Sequence, residues 1–247
     1  MSAVEAVLVG LAGFGAGAIN AVIGSGTLIT FPTLLAVGLP PVVANVSNTV
    51  GLVPGSVAGS WGYRRELVGQ RSRLRRLATA TVLGATLGAV LLLVLPESSF
   101  EAVVPVLIVV GCVLVLIQPW LVRQLGERVR PHHGGWQVWL GVLAVGVYGG
   151  YLGAGQGILL VAVLAVGLDE TLQRVNAAKN VLAGLANLIA GLIFVAVADV
   201  NWVAAASIAV GATLGGVVGA GVARKLPDTV LRGIVVVVGL SALVFLR

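Results

Sequence analysis

Few side chains in this apolar sequence can do chemistry, and they fall into two matching groups. The first is Gly24-Ser25-Gly26-Thr27 followed by Asn45, Asn48 and Thr49; the second is Gly153, Gly155, Gln156 and Gly157 followed by Asn176, Lys179 and Asn180. Glycine turns that lead into short helices present main-chain N–H groups at helix N-termini, where the helix dipole favours negative charge. Asn, Ser and Thr add neutral donors and Lys179 a charged one, so the set favours an anion. A cation pathway would call for carboxylates, and Glu5, Glu66, Glu97, Glu101, Glu127, Asp169, Glu170, Asp199 and Asp228 all fall at segment ends or in linkers. The same placement argues against a buried acidic proton relay and leaves the membrane potential as the simplest driving force. The competing use for these polar groups is helix capping or interfacial solvation, with Lys179 snorkelling to the headgroups.

The two groups sit on an internal repeat. Residues 24–39 align without gaps on residues 153–168 with eight of sixteen positions identical, including Gly24/Gly153, Gly26/Gly155 and Leu35–Leu39 against Leu164–Leu168. Asn45 and Asn176 correspond once two extra residues are allowed in the second connecting loop. Interrupted hydrophobic segments at corresponding places in two halves point to the binding site of a transporter built from inverted repeats.

The chain around them is 58% hydrophobic and 10% charged, with mean hydropathy +1.08. That leaves too little polar surface for a water-soluble globule of 247 residues. The 15 basic against 9 acidic residues lie between apolar segments without interleaved stacking aromatics, so they read as topology signals and not as a nucleic-acid surface. Apolar segments fall at about 4–23, 27–39, 42–60, 77–95, 102–122, 136–152, 156–168, 175–198, 202–223 and 229–246. Segments 27–39 and 156–168 reach only about 20 Å as helices, short of the roughly 30 Å hydrocarbon core, and read as half-helices or re-entrant segments. The expected fold is therefore an all-α polytopic membrane protein with about eight spanning helices plus the short broken ones. Its parts are a first transmembrane repeat over 1–122, a basic linker over 123–135 and a second, inverted repeat over 136–247. The Arg64–Arg76 and Arg123–Arg130 linkers read as cytoplasmic and Pro96–Glu101 as external, which places both termini outside a cell membrane. The N-terminal segment reads as a retained span.

The glycine-broken first hairpin, the Ala44-Asn-Val-Ser-Asn-Thr49 helix entry leading to Pro54-Gly55-Ser56, the Tyr63-Arg-Arg-Glu-Leu67 exit, and Asn176-Ala-Ala-Lys-Asn180 with Asn187 resemble the sulfite exporter family of the TauE/SafE type. The resemblance covers nearly the whole chain. It implies export of a small sulfur-containing anion such as sulfite, thiosulfate or a sulfonate. Many members carry Thr or Ser just before the second-half Lys, where this chain has Ala178. An anion channel or a non-transporting membrane assembly subunit shares the same outline.

Other motifs carry less. Gly13-Phe-Gly15-Ala-Gly-Ala18 matches a dinucleotide fingerprint in letters only, since it lies inside an apolar segment with no preceding strand. The stripes Gly51/Gly55/Gly59, Gly84/Gly88 and Gly211/Gly215/Gly219 read as close helix packing, with a homodimer face as the alternative. The pair His132-His133 is insufficient for a closed metal site, and no cofactor is called for. Paired carboxylates, a Ser/His arrangement or a metal cluster at membrane depth, which an intramembrane enzyme would need, are missing from the sequence. The five tryptophans fall at segment ends, as expected of contact with membrane lipids.

Overall fold

The computed structural model describes residues 1–125 and 135–221, together with 233, 236–238 and 240. Within them the chain runs α1 (Ala3–Val22), α2 (Thr27–Ala36), α3 (Pro41–Gly62), α4 (Arg71–Val94), α5 (Glu97–Leu125), α6 (Trp136–Tyr151), α7 (Gln156–Gly167), α8 (Leu172–Val197) and α9 (Trp202–Gly221). The segment 229–246, the basic linker Arg224–Asp228, the C-terminus, and Glu127, Arg128, Arg130 and His132-His133 lie outside the described residues or almost wholly so. The short segments are short helices: α2 has 10 residues and α7 has 12, about 15 and 18 Å of rise.

Five described helices are long and apolar enough to cross a membrane: α1, α4, α5 (Glu97–Ile117), α8 and α9 (Trp202–Gly219). The sequence expectation was about eight. Helix α3 has the length, with 22 residues, but Asn45, Ser47, Asn48, Thr49, Ser56 and Ser60 dilute its hydropathy. Helix α6 is apolar but has 16 residues, about a turn short of a full crossing. Two linker expectations are corrected. Helix α4 begins at Arg71, so Arg71, Arg73, Arg75 and Arg76 occupy its first turns, and the acidic Glu97 and Glu101 begin α5 instead of lying in a loop. Arginine and glutamate are good helix formers, and a charged first turn extends a span into the headgroup region.

Packing exchanges partners between the halves. Helix α1 lies along α9 and α6 along α4, while α3 and α8 pack on each other at the centre. Glycine stripes make the close approaches: a Cβ at Gly88 would stand 2.1 Å from the Val147 carbonyl oxygen, and one at Gly215 1.9 Å from that of Phe14. With lipid as apolar as leucine, such backbone proximity supplies dispersion energy that burial from water does not. The stripes of α4 and α9 are thus spent inside one chain. Trp61, Trp120, Trp136 and Trp202 are exposed.

Candidate functional site

Positive φ at Gly24 (+88°), Gly153 (+72°) and Gly155 (+75°) breaks the chain before α2 and α7. The two breaks meet. Gly157 donates its main-chain N–H to the Gly24 carbonyl at 3.0 Å, and a Cβ on Gly24 would stand 2.6 Å from the Gly157 Cα. Only glycine fits on either side: the backbone contact excludes a side chain at both residues, and the left-handed turn does so again at Gly24.

Around this contact, α3 and α8 each supply polar groups to a helix end of the other half. Asn45 Nδ2 donates to the Tyr151 carbonyl at the end of α6 at 2.8 Å, while Asn176 Nδ2 donates to the Ala21 carbonyl near the end of α1 at 3.2 Å. Asn180 Nδ2 also reaches the Ala21 carbonyl at 3.3 Å, and Lys179 Nζ donates to the Asn20 carbonyl at 2.8 Å. A helix leaves its last carbonyls without internal partners and is negative at that end. A lysine and two asparagines on one face of α8 answer both needs. The capping expectation is therefore met in an unforeseen form, since these residues cap a distant helix and not their own.

Lys179 does not snorkel. Its side chain is fully buried, and among the described residues it forms no ion pair. A Cβ at Gly24 would lie 3.1 Å from its Cδ, so the lysine stem runs beside the first break. At the matching place in the first half, Asn48 is neutral. Its Oδ1 accepts from Thr30 Oγ1 and its Nδ2 donates to Thr27 Oγ1 at 3.4 Å; Thr49 Oγ1 donates to the Asn45 carbonyl at 2.9 Å. Gln156 Nε2 donates to the Ala183 carbonyl at 3.3 Å.

The side chains of Ser25, Asn45, Gln156 and Asn176 are all buried, and Ser25 Oγ, Asn45 Oδ1, Gln156 Oε1 and Asn176 Oδ1 have no hydrogen-bond partner among the described residues. The sequence suggests donors from these residues. The structure instead commits the amide N–H groups to main-chain carbonyls and leaves amide oxygens over. The sequence-predicted residues are thus brought together in two clusters, one on each side of the Gly24–Gly157 contact. Lys179, Asn176, Asn180, Gly24, Ser25 and Gly26 lie around the end of α1; Asn45, Gly153, Gly155, Gln156 and Gly157 lie around the end of α6. Thr27, Asn48 and Thr49 bond within the first half, between α2 and α3.

Two features were missed by sequence reading. Tyr63, named only as part of the helix exit, is buried, and its hydroxyl accepts from Asn176 Nδ2 at 2.9 Å. Beyond it, at the basic end of the molecule, Glu170 pairs with Arg73 Nη1 at 2.9 Å and Arg174 Nε at 2.5 Å. Gln70 Nε2 donates to the Arg174 carbonyl at 3.0 Å, and Arg174 Nη1 to the Val68 carbonyl at 3.0 Å. Partial burial works to raise the Glu170 pKa, but hydrogen bonds from Arg174 and Arg73 and their positive charges hold it below the usual carboxylate range. This latch ties the α3–α4 turn to the start of α8. At the other end of α3, Asn201 donates its main-chain N–H to Ser47 Oγ at 2.9 Å, joining the α8–α9 turn to α3.

A family model described as sulfite exporter TauE/SafE matches residues 9–246. The chain is similar to a probable membrane transporter protein of Haemophilus influenzae, 26% identical over 91% of this chain and 88% of the relative. It is also similar to the probable membrane transporter protein YfcA of Escherichia coli K12, 24% identical over 90% of this chain and 82% of the relative. The probable membrane transporter protein ORF9 of a Sinorhizobium species is 33% identical over 40% of this chain and 38% of its own. No solved structure matches the chain.

Proposed function

We propose that this chain, which belongs to the sulfite exporter TauE/SafE family and is a multi-pass membrane protein, moves a small anion outward by alternating access. Its substrate is sulfite or a related organosulfur anion. The observation that carries this reading is Lys179: a fully buried lysine whose Nζ donates to the Asn20 carbonyl and which, among the described residues, has no carboxylate paired with it. A charge at membrane depth is costly and marks a pathway, and an anion arriving beside it supplies the missing countercharge.

The two halves act as inverted repeats in this reading. Their exchanged helix caps, Asn45 on α6 and Asn176 on α1, and the exchanged packing of α1 on α9 and α6 on α4 support a pseudo-twofold axis. The Gly24–Gly157 contact is the pivot at the meeting of the broken hairpins. The Arg73–Glu170–Arg174 latch closes the arginine-rich face, taken as cytoplasmic by the positive-inside rule, and the Asn201–Ser47 contact closes the other. Releasing one and then the other exposes the site to each side in turn. An interior-negative potential favours efflux by about 2.3 kcal/mol per charge per 100 mV, without a coupled ion.

The test is counterflow in proteoliposomes, with sulfite, thiosulfate and organosulfonates as competitors. Saturable counterflow of a sulfur oxyanion, together with net efflux that an imposed interior-negative potential stimulates, is the expected result. Efflux that follows a proton gradient and ignores the potential overturns the uncoupled mechanism, and the lack of exchange with any anion overturns the transport reading.

A further inference from the structure

The cluster at the end of α1 discriminates among anions as well as attracting them. Asn176 Nδ2 donates to the Ala21 carbonyl and to the Tyr63 hydroxyl, which uses both of its hydrogens. A main-chain carbonyl only accepts, so the amide cannot be turned over without setting oxygen against oxygen. Its Oδ1, buried and without a partner among the described residues, is therefore presented as an acceptor. It lies one helical turn from Lys179, on the same face of α8, and the two side chains bond to the consecutive carbonyls of Ala21 and Asn20. Ser25 Oγ, 1% exposed and without a partner among the described residues, follows Gly24, where a Cβ would lie 3.1 Å from the Lys179 Cδ.

Resting on the anion-transport reading above, we propose that this site takes a monoanion that carries its own hydrogen-bond donor. One negative charge answers the single ammonium, and an O–H or N–H on the same molecule satisfies the amide oxygen of Asn176. Hydrogen sulfite and hydroxy-substituted sulfonates have both features. A bare alkanesulfonate has the charge alone and leaves the buried acceptor unmet, while a dianion adds a second charge that faces oxygen lone pairs. A site that binds a substrate hydroxyl through a buried polar group rejects the analogue lacking it far more strongly than an apolar pocket rejects a missing methylene.

The experiment is a matched pair on the purified wild-type protein: 2-hydroxyethanesulfonate against ethanesulfonate, equal in charge and differing by one hydroxyl, read by thermal stabilisation and by competition in counterflow. The hydroxylated anion is expected to half-saturate at a concentration about tenfold lower or better. Equal or reversed potency, with either anion still binding, overturns the donor requirement and leaves anion transport standing. Failure of these and all other small anions to bind overturns both.

Discussion

The main-chain N–H of Gly157 meets the carbonyl of Gly24 at 3.0 Å, so the two broken hairpins are joined backbone to backbone, with no side chain between them. A Cβ on Gly157 would stand 2.5 Å from the Gly24 Cα. Gly157→Ala should therefore destabilise the protein by about 1–3 kcal/mol through overpacking, and Gly24→Ala by more, since its φ of +88° adds strain. Gly15→Ala, whose new methyl meets nothing within 4 Å, serves as the control. Thermal unfolding in detergent checks this, and an unchanged midpoint in Gly157→Ala contradicts it.

The reciprocal caps make a prediction of sign. Asn45→Ala leaves the Tyr151 carbonyl without its donor, at a cost of about 1–2 kcal/mol. Asn45→Asp, nearly the same shape, turns an oxygen toward that carbonyl and should cost more than alanine does. The same order is expected at Asn176 against Ala21. If aspartate proves milder than alanine at both positions, the caps do not hold the helix ends as described.

Glu170 sets the pH dependence of the latch. Because its carboxyl is held below the ordinary range in the folded protein, its contribution is fully present above the unfolded carboxylate pKa and is lost as pH falls through the lowered folded value. Glu170→Gln should lose about 1–3 kcal/mol at neutral pH, and the gap from wild type should close on acidification. A gap that stays constant down to strongly acid pH contradicts the ion-pair account.

How much of this was legible in the sequence follows from the range of the interactions. Apart from the charged starts of α4 and α5, the described helix bounds lay within three residues of the apolar runs, because length and hydropathy are local. The polar entries of α3 and α8 also stood out, being rare in such a chain. Their partners did not: Asn45 reaches a carbonyl 106 residues away and Lys179 one 159 away, and a main-chain acceptor leaves no signature in residue type. For the same reason the amides were read as donors toward a ligand, when helix ends take their N–H groups and leave their oxygens. Glu170 looked like a span-end carboxylate because Arg73, its partner, lies 97 positions earlier. The glycine stripes announced close packing without saying against which helix.

Lys179 carries the central claim, and Lys179→Gln tests it most directly. Glutamine keeps an N–H donor for the Asn20 carbonyl while removing the charge. Counterflow of a sulfur oxyanion in proteoliposomes should fall at least about a hundredfold, as expected for loss of a buried charge-assisted contact, while the variant remains folded by thermal unfolding. Wild-type exchange rates and affinity in a folded Lys179→Gln protein would contradict the account.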